Sequence, residues 1–378
     1  MNINRLVETM TREEKVALVS GYDQWHTVEI PRLGIPSIMV SDGPHGLRKQ
    51  GAEGDHLGIG ISTPSTCFPP AATSANSWDP GLLYAMGQAI GEEALQEGVS
   101  VVLGPGVNIK RSPLCGRNFE YFSEDPWLAG ELAKGWIEGV QSIGVGACIK
   151  HFAANSQERW RMLNDSLVDE RALREIYLAA FEHAVREAQP WTLMPAYNKL
   201  NGAYCCENQE LLESILRTEW GFEGATISDW GAVNDPTLSI RAGLDLEMPA
   251  SYGVSAQQLE EDLVSGRLTE HALNKAVRRV LELVAKGQAQ KREFRYDADA
   301  HHGLARKIAA ESAVLLKNTD GVLPLSKEQK VCIVGQFAEH PRYQGTGSSQ
   351  INPSRLDTIL GLLEKEKAPY TYAKGYEL

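Results

Sequence analysis

Between residues 34 and 250, short apolar runs alternate with longer stretches whose apolar residues recur every three to four positions, and polar and glycine residues separate the two. Runs of the first kind fit strands buried on both faces; the periodic stretches fit helices packed on one side. The pattern predicts strands at 35–40, 99–103, 145–149, 192–194, 225–227 and 244–248, and helices at 80–97, 126–142, 170–187 and 209–219. Repeated strand-then-helix units build a parallel sheet. Six or more of them in about 250 residues fit a closed (β/α)8 TIM-like barrel better than an open doubly wound sheet. The first strand-to-helix turn also lacks the G-x-G-x-x-G of a dinucleotide-binding sheet.

Two further helices are predicted at 255–263 and 269–285, after which KGQAQKREFRYDADAHHG loses all periodicity and reads as a linker. The expected division is a barrel over 1–285, a linker over 286–303, and the first part of a second α/β domain over 304–378. The elements beyond the linker are too few to close a core, because a sheet of two or three strands leaves apolar faces uncovered. The chain is expected to stop inside that domain.

Composition narrows the function classes. A formal net charge of -12 without any dense Lys/Arg run argues against nucleic acid as a partner. The N-terminus reads as an amphipathic charged helix, no apolar stretch of about 18 residues occurs, and neither an export signal nor a membrane span is expected. The expected location is the cytoplasm. Six cysteines, at 67, 115, 148, 205, 206 and 332, form no C-x-x-C pair and fit buried thiols better than disulfides or zinc. No cofactor and no metal site is expected.

In a βα barrel the chemistry sits on the loops that follow the C-terminal ends of the strands. The run at 35–40 leads into SDGPHGLR, with Asp42, His45 and Arg48; the run at 99–103 leads into a long loop carrying Arg111, Arg117, Glu120, Glu124 and Asp125. The run at 145–149 ends in Lys150 and His151, TLM (with Met194) continues to Tyr197 and Asn198, and ATIS ends in Asp229 followed by Trp230. Taken singly, several of these have ordinary readings: Asp42 and Asp229 as turn or cap residues, Met194 as core packing, Arg117 with Glu120 as a loop ion pair. Lys150 resists such a reading, since a lysine directly after a buried run needs a partner. Neighbours on a strand face opposite ways, so Lys150 and His151 reach one ligand only if the backbone departs from regular geometry at 150–152. Carboxylates, cationic donors and an aromatic without metal-ligand spacing suit a neutral polyhydroxylated ligand such as a sugar.

The assembled motifs resemble glycoside hydrolase family 3, in its bacterial β-glucosidase branch. They run in order from MTREEKVALVSG and SDGPHGLR through GPGVNIKRSPLCGRNFEYFSEDP, CIKHFAANSQE, MPAYNKLNG and SDWGAV to AAESAVLLKN and LPL. The resemblance implies a (β/α)8-type barrel followed by an α/β sandwich, with the active site between them. It implies a retaining exo-acting β-glucosidase acting on β-glucosides and short β-linked oligosaccharides. By resemblance Asp229 is the nucleophile, and Asp42, Arg48, Arg117, Lys150 and His151 hold the glycone hydroxyls. Met194 and Tyr197 line the same subsite, Trp230 walls it beside the scissile bond, and Ser348 of GTGSS reaches in from the second domain, with Ser349 beside it as the other choice. The KHFPGHG motif of the N-acetylglucosaminide-cleaving branch is replaced here by KHFAANSQE, which excludes a histidine acid at that place. The glucosidase branch takes its acid/base from a Glu of the second domain, which the resemblance implies lies beyond Leu378. The chain is therefore expected to be a fragment, impaired alone and completed by a continued chain, a separate polypeptide or a homo-oligomer. Two alternatives stand beside this: a catalytically silent sugar-binding fragment, and a β-xylosidase or other β-glycosidase of the same family.

Overall fold

Two Asp-Pro pairs start two of the main helices, α1 (Pro80–Gln96) and α2 (Pro126–Ser142). Pro fits the first helical position, where no N–H is needed, and the preceding aspartates cap the freed donors. Asp79 Oδ1 accepts from Gly81 and Leu82, and Asp125 Oδ1 from Trp127 and Leu128, at 2.8 and 3.2 Å in each case. The two helices touch backbone to backbone: a Cβ on Gly139 would lie 2.1 Å from the Tyr84 carbonyl oxygen, and one on Gly87 2.2 Å from that of Trp136. Only glycine permits that approach.

The computed structural model describes residues 1–51, 60–289 and 291–376. Five parallel strands, β1 (Val40–Asp42), β2 (Val101–Leu103), β3 (Gly146–Phe152), β4 (Thr192–Pro195) and β5 (Ala225–Thr226), pair in sequence order. All seven residues of β3 are buried, as a strand covered on both faces requires. The first strand sits later than the apolar run suggests, because Ile35 pairs back antiparallel to Ile30 in a turn. Beyond β5, Ile227 bridges Leu246 and Glu247 bridges Ser20, both parallel; Gly21 to Thr27 and His26 to Met39 are antiparallel bridges. The ring thus runs on through a reversed N-terminal segment back to the residue before β1. The fold is an α/β TIM-like barrel, with a continuous apolar core between sheet and helices.

Helix α3 (Glu270–Ala289) runs past residue 285, and α4 (Ala298–Glu311) begins within 286–303. Residue 290 of the expected linker, and 377–378 of the expected second domain, lie outside the described residues. Helix α4 packs on the barrel through His301, whose ring bonds Glu93 at 2.8 Å and Glu92 at 3.0 Å. Beyond it, β6 (Val331–Val334) and β7 (Tyr370–Ala373) form a two-stranded parallel sheet, with a short helix, α5 (Ile359–Lys365), between them in sequence. Both strands alternate half-buried and exposed residues, so that sheet is covered on one face at most. Among the described residues no helix is long and apolar enough to cross a membrane.

Away from the rim, Asp245 ties three elements together. Its Oδ2 accepts from Arg217 at 2.7 Å and from the Thr226 amide of β5 at 2.8 Å, and its Oδ1 accepts from Arg279 of α3 at 3.1 Å. Removing one member of a buried ion cluster strands the others, at about 3–5 kcal/mol. Asp245→Ala should lower stability by that order in chemical denaturation, and a loss under about 1 kcal/mol would show that the cluster does not hold the elements together.

Candidate functional site

The strand ends of the barrel carry their polar side chains to one rim, around a cavity of about 270 Å³. β1 ends in Asp42, whose carboxylate is shared between Arg48 Nη1 at 3.3 Å and Lys150 Nζ at 3.6 Å. Asp42 and Lys150 face the cavity; Arg48, 1% exposed, stands behind Asp42 and off the wall. Burial pushes the Asp42 carboxyl up, and the Lys150 and Arg48 charges pull it back.

The loop after β2 turns back at residues 117–121. Arg117 donates through Nε to Glu120 and through Nη2 to His151 Nε2, the latter at 2.9 Å. A guanidinium only donates, so the facing His151 nitrogen carries a lone pair and the ring proton sits on Nδ1. Nδ1–H then donates to the Tyr121 hydroxyl at 3.1 Å, which also accepts from Asn155 at 3.1 Å. Burial, then the Arg117 and Lys150 charges, hold His151 well below the usual histidine range, so it stays neutral. Burial works to raise Glu120, but Arg117, Lys150 and His45 outweigh it and hold this carboxyl at about 2.

Lys150 and His151, adjacent in β3, both line the cavity. The departure from regular strand geometry expected at 150–152 is present: the pairing register with β4 shifts between Lys150 and Phe152, and the Lys150–His151 and Phe152–Ala153 bonds are cis. A register shift re-aims the side chains beside it. Asn108 fixes the His151 backbone, exchanging two hydrogen bonds with its carbonyl and amide at 2.8 Å each. Met194, at the end of β4, and Tyr197 complete this side, with the Arg161 guanidinium 4.5 Å above the Tyr197 ring.

Asp229 follows β5. Its Oδ1 accepts the Trp230 amide at 2.8 Å, while Oδ2 is buried and has no hydrogen-bond partner among the described residues. His151 Nε2, itself an acceptor here, lies 3.6 Å from that oxygen. The Tyr197 hydroxyl donates to the Trp230 carbonyl at 2.9 Å, and the Trp230 indole donates to the Gln24 carbonyl at 2.9 Å. Burial and the Asp229 charge raise the Tyr197 hydroxyl above the usual tyrosine range, so it remains a donor.

The wall is completed from beyond the barrel. A Cβ on Gly345 would lie 2.3 Å from the Phe119 ring, so a bare backbone packs there and brings in the loop 346–348. Ser348 faces the cavity; Ser349 turns away from it and donates to Glu120 at 3.0 Å. Of the residues singled out in the sequence, Asp42, Arg117, Lys150, His151, Met194, Tyr197, Asp229, Trp230 and Ser348 meet at one cavity, and Arg48 supports it from behind. Glu158 and Arg161, ion-paired at 3.1 Å, also line it and were missed. Their i,i+3 spacing is the only sequence signal, and any exposed turn shows the same.

Comparisons with known proteins identify the family. The model of the glycosyl hydrolase family 3 N terminal domain matches residues 6–283, and that of the family 3 C-terminal domain matches 313–369. The chain is 56% identical to thermostable beta-glucosidase B of Acetivibrio thermocellus, covering 100% of this chain and 51% of that protein. It is 47% identical to an exo-alpha-(1->6)-L-arabinopyranosidase of Bifidobacterium breve, covering 98% and 50%. Among solved structures, the GH3 beta-glucosidase of Bifidobacterium adolescentis superposes with a TM-score of 0.92 at 46% identity, over 98% of this chain and 53% of that one. Beta-glucosidase 3B from Thermotoga neapolitana in complex with alpha-D-glucose gives 0.92 at 39%, over 98% and 55%. The chain spans about half the length of the curated relatives it matches.

Burial holds His45, beside this rim, at about 4 against an ordinary 6.5. Between those values the unfolded chain binds the proton and the folded one does not, so stability is lost as pH falls from about 6.5 to about 4. His45 alone accounts for about 3 kcal/mol at the acid end. Glu120 continues the trend below about 4.5, because its folded carboxylate resists protonation down to about 2. His45→Gln should flatten the slope of denaturation free energy between pH 6.5 and 4 by up to one proton, and an unchanged slope would contradict the assignment.

Proposed function

The chain belongs to glycosyl hydrolase family 3, and from that premise we propose that it carries the glycone site and nucleophile of a retaining exo-acting β-glucosidase. In this reading Asp229 Oδ2 attacks the anomeric carbon of a terminal β-D-glucosyl residue, the bond to the leaving oxygen breaks, and a glycosyl ester forms. Water then hydrolyses the ester and restores the carboxylate. The observation that carries the reading is the state of Asp229: one oxygen held by a backbone amide, the other buried at the cavity and without a partner among the described residues.

The remaining groups suit a sugar. Lys150 and Arg117 offer donors, Asp42 offers an acceptor, and Met194 and Trp230 offer apolar surface to the ring. The 3.6 Å between Asp229 Oδ2 and His151 Nε2 separates two acceptors, a gap that a sugar hydroxyl would relieve by donating. Arg48 would act by orienting Asp42, Tyr197 by fixing the peptide after Asp229, and Ser348 by closing the glycone side.

The leaving oxygen must also receive a proton. Asp42 is committed to Arg48 and Lys150, and Glu120 is held ionised by Arg117, so neither suits a general acid. We take the acid/base to be a Glu outside the described residues, beyond Leu378 by the family resemblance. The same reading divides the chain at 1–285, 286–303 and 304–378. Two observations favour second readings. The Bifidobacterium breve relative, 47% identical, is named for an L-arabinopyranoside rather than a glucoside, which keeps other pyranosides of the same family open as substrate. The commitment of Asp42 and Glu120 favours a chain that binds sugar without turning it over unless the acid is supplied.

A 2,4-dinitrophenyl 2-deoxy-2-fluoro-β-glucoside tests this directly, because its leaving group needs no proton. Intact-mass spectrometry should find one added fluoroglucosyl group, lost on Asp229→Ala. With the acid present, that variant should also lose turnover of aryl β-glucosides by at least about 10³-fold while keeping its circular dichroism spectrum. An adduct that persists in Asp229→Ala would remove the nucleophile assignment, and sugar binding without any adduct would favour the silent reading.

A further inference from the structure

The loop after β1 leaves from Asp42 and returns to it: the Arg48 amide donates to the Asp42 carbonyl at 2.9 Å, and the Arg48 guanidinium donates to the Asp42 carboxylate at 3.3 Å. The turn between them is held by a strap of chain, residues 65–68. The Phe68 amide donates to the His45 carbonyl at 2.8 Å, and the Ser65 hydroxyl donates to the Leu47 carbonyl at 2.6 Å. A Cβ on Gly46 would lie 2.2 Å from the Thr66 carbonyl oxygen, so loop and strap touch backbone to backbone. Packing that close passes a shift of the strap on to the loop.

The strap is itself gripped from behind. Glu93 of α1, 1% exposed and off the cavity wall, accepts the Thr66 amide through Oε2 at 3.0 Å. Its Oε1 faces His301 Nδ1 of α4 at 2.8 Å, and His301 Nε2 faces Glu92 Oε2 at 3.0 Å. Both ring nitrogens meet carboxylate oxygens, so both donate and the ring is an imidazolium. Burial opposes that charge, but the bonds to Glu93 and Glu92 outweigh it and raise His301 above the usual histidine range. Tyr296 stacks on the ring at 4.9 Å and fixes its plane. An apolar side chain would fill the place of Glu93 in α1 without desolvating a charge, so a buried carboxylate there calls for a task beyond packing.

We propose that Glu93 is a positioning residue for the glycone site. Through the Thr66 amide it sets the strap, and through the strap the loop that places Asp42 and Arg48, with His301 from beyond the barrel as its counter-charge. The proposal rests on the glycone reading given above.

The rate of adduct formation by the 2,4-dinitrophenyl 2-deoxy-2-fluoro-β-glucoside, followed by intact mass on the full-length protein, tests it. Glu93→Leu, similar in volume but without an acceptor, should lower the second-order rate by about 5- to 30-fold, as loss of one hydrogen bond to a charged group allows. Glu93→Gln keeps an oxygen for Thr66 and should stay within about 3-fold of the parent. The deciding readout is a double-mutant cycle with Asp42→Asn, which a general loss of structure would leave additive. In that background Glu93→Leu should cost under about 2-fold more, because the carboxylate it places is already gone. If Glu93→Leu lacks a native circular dichroism spectrum, Glu93→Asp, which keeps the charge and draws the carboxylate back by one methylene, takes its place in the same cycle. Losses that multiply in the double variant, Glu93→Gln as slow as Glu93→Leu, or Glu93→Leu at the parent rate would each overturn the positioning role while the glycone reading stood. A parent that forms no adduct would overturn both.

Discussion

The buried fork of Arg117 is the constraint around which the rim is arranged. A guanidinium out of water must find an acceptor for each end it buries, and here the two are Glu120 and the lone pair of His151. That choice propagates. Because Arg117 occupies Nε2, the ring proton goes to Nδ1, which needs the Tyr121 hydroxyl, which in turn is braced by Asn155. Burial, and then the Arg117 charge, keep His151 neutral, and the same charge keeps Glu120 ionised against its burial. Around them Arg48, Lys150 and Arg161 face Asp42, Glu158 and Asp229, so positive and negative side chains balance without a bound ion. A pocket of paired charges and fixed dipoles is suited to a neutral ligand with many hydroxyls, and it repels neither sign strongly.

The same network explains why the wall needs the segment beyond α4. Glu120 has a second oxygen to satisfy after Arg117 has taken the first, and Ser349 satisfies it at 3.0 Å. The loop can come that close because Gly345 lets backbone lie against Phe119. Gln344 then fixes the turn, accepting from the Ile351 amide at 2.7 Å and donating to its carbonyl at 2.9 Å. A barrel alone would leave the Glu120 oxygen and the Phe119 ring facing water. Site and domain contact therefore share one carboxylate, Glu120, beside a parallel bridge between Ser65 and Pro353.

How much of this could be read from the sequence follows from how local each cause is. The Asp-Pro caps, the alternation of apolar runs with periodic stretches, and a lysine placed directly after a buried strand are local, and they led to α1, α2, the parallel sheet and the rim. Closure of the ring was not legible, because it rests on single bridges between residues far apart, Ser20 with Glu247 and Ile227 with Leu246. Nor was the start of β1, where a turn through Ile30 and Ile35 takes up half of the apolar run. Adjacent serines in GTGSS carry no mark of which one enters a cavity; the partner that separates them, Glu120, is 229 positions away. Arg48 looked equivalent to Lys150, and only packing sets one behind Asp42 and the other on the wall.

What remains unpaired is as informative as what is paired. A buried carboxylate oxygen without a donor costs on the order of 1–3 kcal/mol in the free protein. Asp229 is surrounded by groups that could have supplied that donor: Arg117, whose nitrogens go instead to Glu120 and His151, and Tyr197, whose hydroxyl goes instead to the Trp230 carbonyl. The Tyr197 hydroxyl and two of the Arg117 nitrogens are thus bonded elsewhere, and Oδ2 stays bare among the described residues. In the proposed nucleophilic role, a hydrogen bond there would lower the reactivity of the oxygen and would have to break before attack. On the reading proposed above, with Asp229 as nucleophile, the stability given up at Oδ2 is recovered when substrate arrives, and that asymmetry between the empty and the reacting site is what such a role requires.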